Sequence, residues 1–102
     1  MAQTRVTLDA ILRATLGSSY VYFDPPESFK LKYPCIVYSE SGTAERFADD
    51  SPYNRMKRYM LLYITRDADD PMADKIDDLR YCSLNRSYRS EGLYHYSYDL
   101  FY

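Results

Sequence analysis

The spacing of hydrophobic residues predicts two short amphipathic helices. Over residues 4–16, apolar side chains recur at helical intervals, and Gly17 supplies a stop. A second helix is predicted after Asp70 and Pro71, which suit the N-cap and the first helical position. The apolar stripes are Leu8, Ile11, Leu12 and Leu16 in the first helix, and Met72, Ile76 and Leu79 in the second. Each stripe needs a surface to cover.

Segments rich in β-branched and aromatic residues predict five strands. They lie at 19–23, 35–38, 55–65, 83–90 and 92–102. Glu91 and Gly92, between the last two, predict the tight turn of a terminal hairpin. The order α-β-β-β-α-β-β predicts an α+β fold: a mostly antiparallel sheet of about five strands with two helices packed on one face.

The length of 102 residues predicts one domain, 1–102, with a single modest core. Residues 41–54 show no periodicity and are rich in Gly, Pro, Ser, Asp and Asn, so we expect a long loop there. Residues 35–38 and 59–64 are apolar on both faces, which is typical of strands covered on both sides.

Charge and cysteine content narrow the function classes. A net charge of −2 argues against a protein that lives on DNA or anionic lipid, although a local basic stripe fits this balance. Cys35 and Cys82 are too few for a disulfide scaffold or a zinc site, so we expect both to be reduced and buried. No apolar run approaches the roughly 20 residues of a membrane span, and the first residues lack the apolar centre of a secretory signal.

Residue patterns for catalysis or metal binding fail in detail. The acid-rich stretch 67–78 would place Pro71 at a calcium-ligand position with no glycine after it, which favours helix capping instead. His95, the only histidine, lacks a recognisable nucleophile partner, and the three glycines form no phosphate loop. We therefore expect no enzyme, no cofactor and no metal.

Tyrosine is the unusual feature, with 13 copies and no Trp. Tyr94, Tyr96 and Tyr98 alternate on one face of the last strand, which fits three interpretations. The rings could pack under the helices, stack nucleic-acid bases beside nearby arginines, or contact a second copy of the chain. An acidic net charge and the lack of an aromatic-glycine strand motif disfavour stacking. The doubly apolar strand 59–64 favours a second copy, because two short helices can cover only one face.

Three segments together resemble a known family. They are YPCIVYSES at 33–41, FADDSPY at 47–53 with the strand that follows, and EGLYHYSYDLFY at 91–102. In this element order the chain resembles the tail terminator (tail completion) proteins of long-tailed phages with non-contractile tails. The closest alternative is another head–tail joining protein, such as a stopper or neck component. An alternative from another class is a small single-stranded nucleic-acid-binding domain that uses a Tyr/Arg sheet face.

The resemblance implies a virion structural protein assembled in the host cytoplasm. Its copies would form a homo-oligomeric ring, a hexamer, that caps the tail tube and stops its polymerisation. The implied partners are the major tail tube protein, the head–tail connector or stopper protein, and genomic DNA passing transiently through the lumen, with no membrane. The candidate subunit or tube contacts are Phe47, Asp49, Asp50 and Tyr53 in the loop, and Met60, Leu62, Ile64, Tyr94, Tyr96 and Tyr98 in the strands.

Overall fold

A computed structural model describes residues 5–43 and 57–102 of the chain. The helices are α1 (Arg5–Leu16) and α2 (Met72–Asp77). The strands are β1 (Val21–Phe23), β2 (Cys35–Thr43), β3 (Lys57–Thr65), β4 (Cys82–Ser90) and β5 (Leu93–Phe101). The element order α-β-β-β-α-β-β is the predicted one, and the α+β class is confirmed.

The five strands form one mixed sheet in the order β1-β2-β3-β5-β4. The short β1 runs parallel to β2, whereas the other neighbouring pairs are antiparallel. The apolar strand β3 therefore lies at the centre of the sheet, and β4 lies at an edge.

Both helices pack on the same face of the sheet. Leu61 of β3 lies opposite Tyr38 of β2 and Tyr98 of β5, and all three are buried in the core with Leu12 of α1 and Ile76 of α2. Because successive strand residues point to opposite faces, this register assigns every sheet residue to one side. We call the side that carries Leu61 the helix face.

The other side is the open face. On the strands β2, β3 and β5 its register rows consist of Cys35, Ile64 and His95; Val37, Leu62 and Ser97; Ser39, Met60 and Asp99; and Arg58 with Phe101. At the edge, Tyr88 extends the first row and Arg86 the second.

The ends of several elements differ from the prediction. The loop predicted from residue 41 begins later, because β2 continues to Thr43. A bulge between Glu40 and Gly42 lets the last two residues pair with Arg58 and Lys57. The rest of that loop lies outside the described residues. Ile11 of α1 is 38% exposed, so the helix rests on the sheet through the other members of its predicted stripe.

The predicted turn is present, and α2 begins at Met72, one residue after the predicted first position Pro71. Glu91 and Gly92 have φ angles of 54° and 77°, the left-handed pair that a two-residue hairpin turn requires. At the start of α2, the Asp70 carboxylate accepts a hydrogen bond from the Met72 N–H at 2.9 Å. Gly17, with φ 76°, ends α1 and donates its N–H to the Arg13 carbonyl at 2.8 Å.

Both cysteines are free thiols: Cys35 is buried and Cys82 is partly buried. Within residues 5–43 and 57–102, neither helix is long and apolar enough to cross a bilayer.

Candidate interaction surface

The centre of the open face is an apolar patch formed by three neighbouring side chains. Val37 and Leu62 lie directly opposite each other in register, and Met60 follows on the same strand. Val37 and Leu62 are half-buried, while Met60 remains 42% exposed. In the described part of the chain both helices lie on the other side of the sheet, so neither α1 nor α2 covers these side chains.

Charged and aromatic side chains border this patch. Arg58 donates to the Asp99 carboxylate at 3.2 Å, next to Met60. Toward the β4 edge, the His95 ring stacks on Tyr88 with 4.7 Å between centroids. The Arg86 guanidinium lies 4.9 Å from the centre of the Tyr88 ring. An apolar centre with a rim of polar and aromatic groups is the usual anatomy of a protein–protein interface.

One end of the open face is already closed within the chain. Cys35 and Ile64 lie opposite each other in register and are both buried, with Ile64 only 4% exposed. At the β1 side of the open face, the chain between β1 and β2 adds an aromatic contact next to Val37, which lies beside Tyr22 in register. Phe29 contacts Tyr22 of β1, with 5.0 Å between ring centroids. Within the described residues, the uncovered part of the open face is its middle and the end that carries Arg58 and Asp99.

The tyrosines of the helix face serve the core. The Tyr98 hydroxyl donates to the Ala73 carbonyl of α2 at 2.8 Å, and the Tyr38 hydroxyl donates to the Asp9 carboxylate of α1 at 2.6 Å. The Tyr63 hydroxyl donates to Asp70, just before α2. Each of these three rings thus carries its polar end to a group in or next to the helix layer, which satisfies a hydroxyl that burial would otherwise strand.

The electrostatics of these contacts agree with the geometry. Burial, together with the hydrogen bond to Asp9, raises the pKa of Tyr38 to about 12. Burial and the Asp70 carboxylate raise the pKa of Tyr63, and burial raises that of Tyr98. Burial by itself would raise the pKa of Asp9. Hydrogen bonds from Tyr38 and Arg13 outweigh that effect and hold the pKa below its usual value. The carboxylates therefore stay charged and the phenols neutral at ordinary pH.

The strand residues predicted as contacts divide between the two faces. Met60, Leu62 and Ile64 lie on the open face, although Ile64 is buried there. Tyr94, Tyr96 and Tyr98 lie on the helix face. Tyr98 is only 1% exposed and belongs to the core, while Tyr94 and Tyr96 are half-buried. The predicted loop contacts, Phe47, Asp49, Asp50 and Tyr53, lie outside the described residues.

Sequence reasoning missed several members of the open face. They are Val37, Tyr88, Asp99 and Phe101. The alternation of side chains along a strand could have identified those on β5. Once its tyrosines occupy the helix face, the residues between them must lie on the open face: His95, Ser97, Asp99 and Phe101. No cluster of metal-ligating side chains occurs among the described residues. No protein-family model, curated protein or solved structure matches the chain.

Proposed function

We propose that this protein is a tail terminator: a structural subunit whose copies form a ring that caps a phage tail tube and offers a docking surface to the head connector. The observation that carries the proposal is the open face, an apolar patch on the central strands that neither α1 nor α2 covers. The sequence resemblance suggests the type of assembly, a ring on a tail tube. The open face provides a surface through which copies can contact one another.

The core of the single chain is complete without that surface. The buried cluster lies between the helices and the helix face, from Leu8 and Leu12 of α1 to Leu100 of β5. A subunit built this way can fold first and join a ring afterwards, because assembly buries only the open face. Such a subunit suits a cap that assembles on the end of a tube, where the tube serves as template.

The size of the patch predicts a modest contact rather than an obligate one. Fully burying a side chain such as Met is worth roughly 1.5–3 kcal/mol. Met60 is 42% exposed, so closing the rest over it contributes about 1 kcal/mol. Several contacts of this size are needed for one stable interface, which favours assembly on a template over a permanent free oligomer.

The test is to place a charge on the patch. In Met60→Asp and Leu62→Asp, a carboxylate would be buried without a partner whenever two copies meet. Val6→Asp is the matched control, because Val6 is 68% exposed on α1, away from the open face. Analytical ultracentrifugation with purified tail tubes should show ring-bound subunits for wild type and Val6→Asp, and monomers for both patch variants.

Circular dichroism separates loss of assembly from loss of folding. The proposal expects the patch variants to keep the wild-type spectrum. A folded Met60→Asp protein that still caps tubes would contradict the role of the open face. Complete unfolding of Leu62→Asp would mark that residue as part of the core.

Electron microscopy tests the function itself. Tails assembled without this protein should be overlong, because nothing stops polymerisation of the tube. Tails of normal length that fail to join heads would favour the stopper or neck alternative, and normal tails on complete virions would contradict both.

A further inference from the structure

We propose that the free edge of β4, from Arg86 to Ser90, binds an extended acidic segment of a partner protein by adding it to the sheet as a sixth strand. This site overlaps the rim of the open face only at Arg86 and Tyr88, and it does not rest on the ring.

The first observation is the position of β4. The strand is nine residues long and lies at the end of the sheet order, and among the described strands it pairs with β5 alone. Every residue from Ser83 to Ser90 is exposed. The opposite edge is different, since β1 has only three residues and is followed by Asp24, Pro25 and Pro26. A long exposed edge without proline is where a further strand can add.

The second observation concerns the backbone groups of that edge. Ser90 and Leu93 flank the two-residue turn, so they form the hydrogen-bonded pair that closes the hairpin. Hydrogen-bonded and non-hydrogen-bonded pairs then alternate along β4. Arg89 and Ser87 therefore direct their N–H and C=O groups away from β5, toward the free edge.

The structure already shows this edge donating to a carboxylate. Beyond the bulge between Leu84 and Arg86, the Leu84 N–H donates to the Asp77 carboxylate at 3.0 Å. Asp77 thus occupies the edge at its far end. The stretch from Arg86 to Ser90 lies on the other side of the bulge.

The third observation is charge. From Leu79 to Ser90 the charged residues are Arg80, Arg86 and Arg89, with no acidic residue among them. The ion pairs formed within the described residues involve neither Arg86 nor Arg89. Each instead lies over a tyrosine ring, Arg86 at 4.9 Å from Tyr88 and Arg89 at 5.5 Å from Tyr94. Both guanidiniums keep donors available for a carboxylate.

Charge also argues against a second copy as the added strand. Two β4 edges paired antiparallel would bring arginines against arginines in the same short stretch, and like charges on facing strands are destabilising. The partner strand should carry the opposite charge.

The alternation of faces specifies the acidic segment further. Arg86 and Tyr88 lie on the open face and Arg89 on the helix face. An antiparallel partner strand therefore places an acidic residue opposite Arg89, an apolar one opposite Tyr88, and a second acidic residue opposite Arg86. The recognised pattern is acidic, apolar, any residue, acidic.

The experiment uses the full chain and the acetylated, amidated peptide Thr-Glu-Val-Thr-Glu-Val-Thr, followed by amide NMR. The expected result is saturable binding with the largest shifts at Ser87 and Arg89. The same peptide with both Glu residues replaced by Lys should bind roughly tenfold more weakly, because two attractive exposed pairs become repulsive. The double variant Arg86→Glu, Arg89→Glu should reverse this preference.

A backbone variant tests the strand itself. Ser87→Pro removes an N–H that faces the edge and not β5, a position where an edge strand tolerates proline. It should leave the hairpin folded and abolish peptide binding. The amide chemical shifts of the hairpin show whether Ser87→Pro is folded. If it is not, the double variant Arg86→Glu, Arg89→Glu still tests the proposed site.

Several results would overturn the inference. One is the absence of Glu-peptide binding up to about 1 mM, a concentration at which even a weak contact would be seen. The others are equal binding of the Glu and Lys peptides, and unchanged peptide binding by folded Ser87→Pro. Loss of self-association in Ser87→Pro without any peptide binding would mean that a second copy occupies the edge.

Discussion

Removing the Asp70 carboxylate should destabilise the fold more than any other single charge deletion near α2. This carboxylate accepts three hydrogen bonds: from the Tyr63 hydroxyl, from the Thr65 hydroxyl at 2.8 Å and from the Met72 N–H at 2.9 Å. It therefore joins the central strand β3 to the start of α2. Asp70→Ala breaks that junction and leaves two hydroxyls on β3 without their acceptor.

The expected cost follows from those contacts. Loss of the cap to Met72 costs about 1 kcal/mol, and loss of the acceptor costs about 1 kcal/mol or more for each hydroxyl. Asp70 is only half-buried, so water can replace part of its role, and the lower end of each range applies. The sum is about 3 kcal/mol, or a fall in melting temperature of about 15 °C for a domain of this size.

Urea unfolding followed by circular dichroism measures this loss. Asp69→Ala is the matched control, because it removes the same charge one residue earlier from an exposed side chain. It should cost less than about 0.5 kcal/mol. In a double-mutant cycle, Tyr63→Phe should cost clearly less in the Asp70→Ala background than in wild type. A small loss in Asp70→Ala, or strict additivity with Tyr63→Phe, would refute the junction.

Acid should erase the difference between wild type and Asp70→Ala. Burial by itself would raise the pKa of Asp70, but hydrogen bonds from Tyr63, Met72 and Thr65 outweigh it and hold the pKa below its usual value. A carboxyl with a lowered folded-state pKa contributes stability above its unfolded pKa and loses it as the pH falls through the folded value. The two proteins should therefore converge in stability as the pH falls from about 5 to below about 3.

Three further predictions concern other groups. Tyr38, with a pKa of about 12, and Tyr63 should stay neutral in the folded protein above pH 10. Because their folded pKa values are raised, the stability of the fold should decrease as the pH rises from about 10. Absorbance at about 295 nm should show both tyrosines ionising together with unfolding. Cys35, which is buried and has its pKa raised by burial to about 11, should react with a thiol reagent at pH 8 only as fast as the chain unfolds; fast labelling in the folded state would contradict its burial. Glu91→Asn should raise the free energy of unfolding in urea by about 0.5 kcal/mol, because Asn tolerates the φ of 54° better than Glu, and a loss of stability would contradict the assigned turn.

Local signals were sufficient for the elements themselves. The Glu91–Gly92 pair predicts a hairpin because only a few residues accept two consecutive positive φ angles. Asp70 followed by Pro71 predicts a helix start because both satisfy needs of the first turn. These features depend only on residues that are adjacent in the chain, so the sequence alone is enough to predict them.

The packing of the tyrosines could not be predicted in the same way. Alternation shows that Tyr94, Tyr96 and Tyr98 share a face, but β3 is apolar on both sides. A shift of one residue in the pairing of β5 with β3 would exchange the faces. The choice depends on which hydroxyls reach an acceptor in the helix layer, such as the Ala73 carbonyl, 25 residues from Tyr98.

The same difficulty applies to β2 and α1. The hydrogen bond from Tyr38 to Asp9 joins residues 29 positions apart. No local pattern marks either residue as its partner. The length of β2 likewise depends on a bulge that realigns Gly42 with Arg58, which residue types alone do not indicate.

The two proposed surfaces share the sheet and overlap at the β4 edge, but substitutions outside that overlap test each surface alone. The open face is made of side chains, and Met60→Asp alters it without touching the β4 backbone. The β4 edge combines backbone groups with the Arg86, Tyr88 and Arg89 side chains. Ser87→Pro removes one of those backbone groups, and the side chain of residue 87 lies on the helix face, away from the open face. Tyr88 and Arg86 are the only proposed contacts on both, since they lie on the open face and on the edge strand. If a ring and an acidic partner strand bind together, substitutions at Tyr88 should weaken both, whereas Met60→Asp should leave the peptide shifts at Ser87 unchanged.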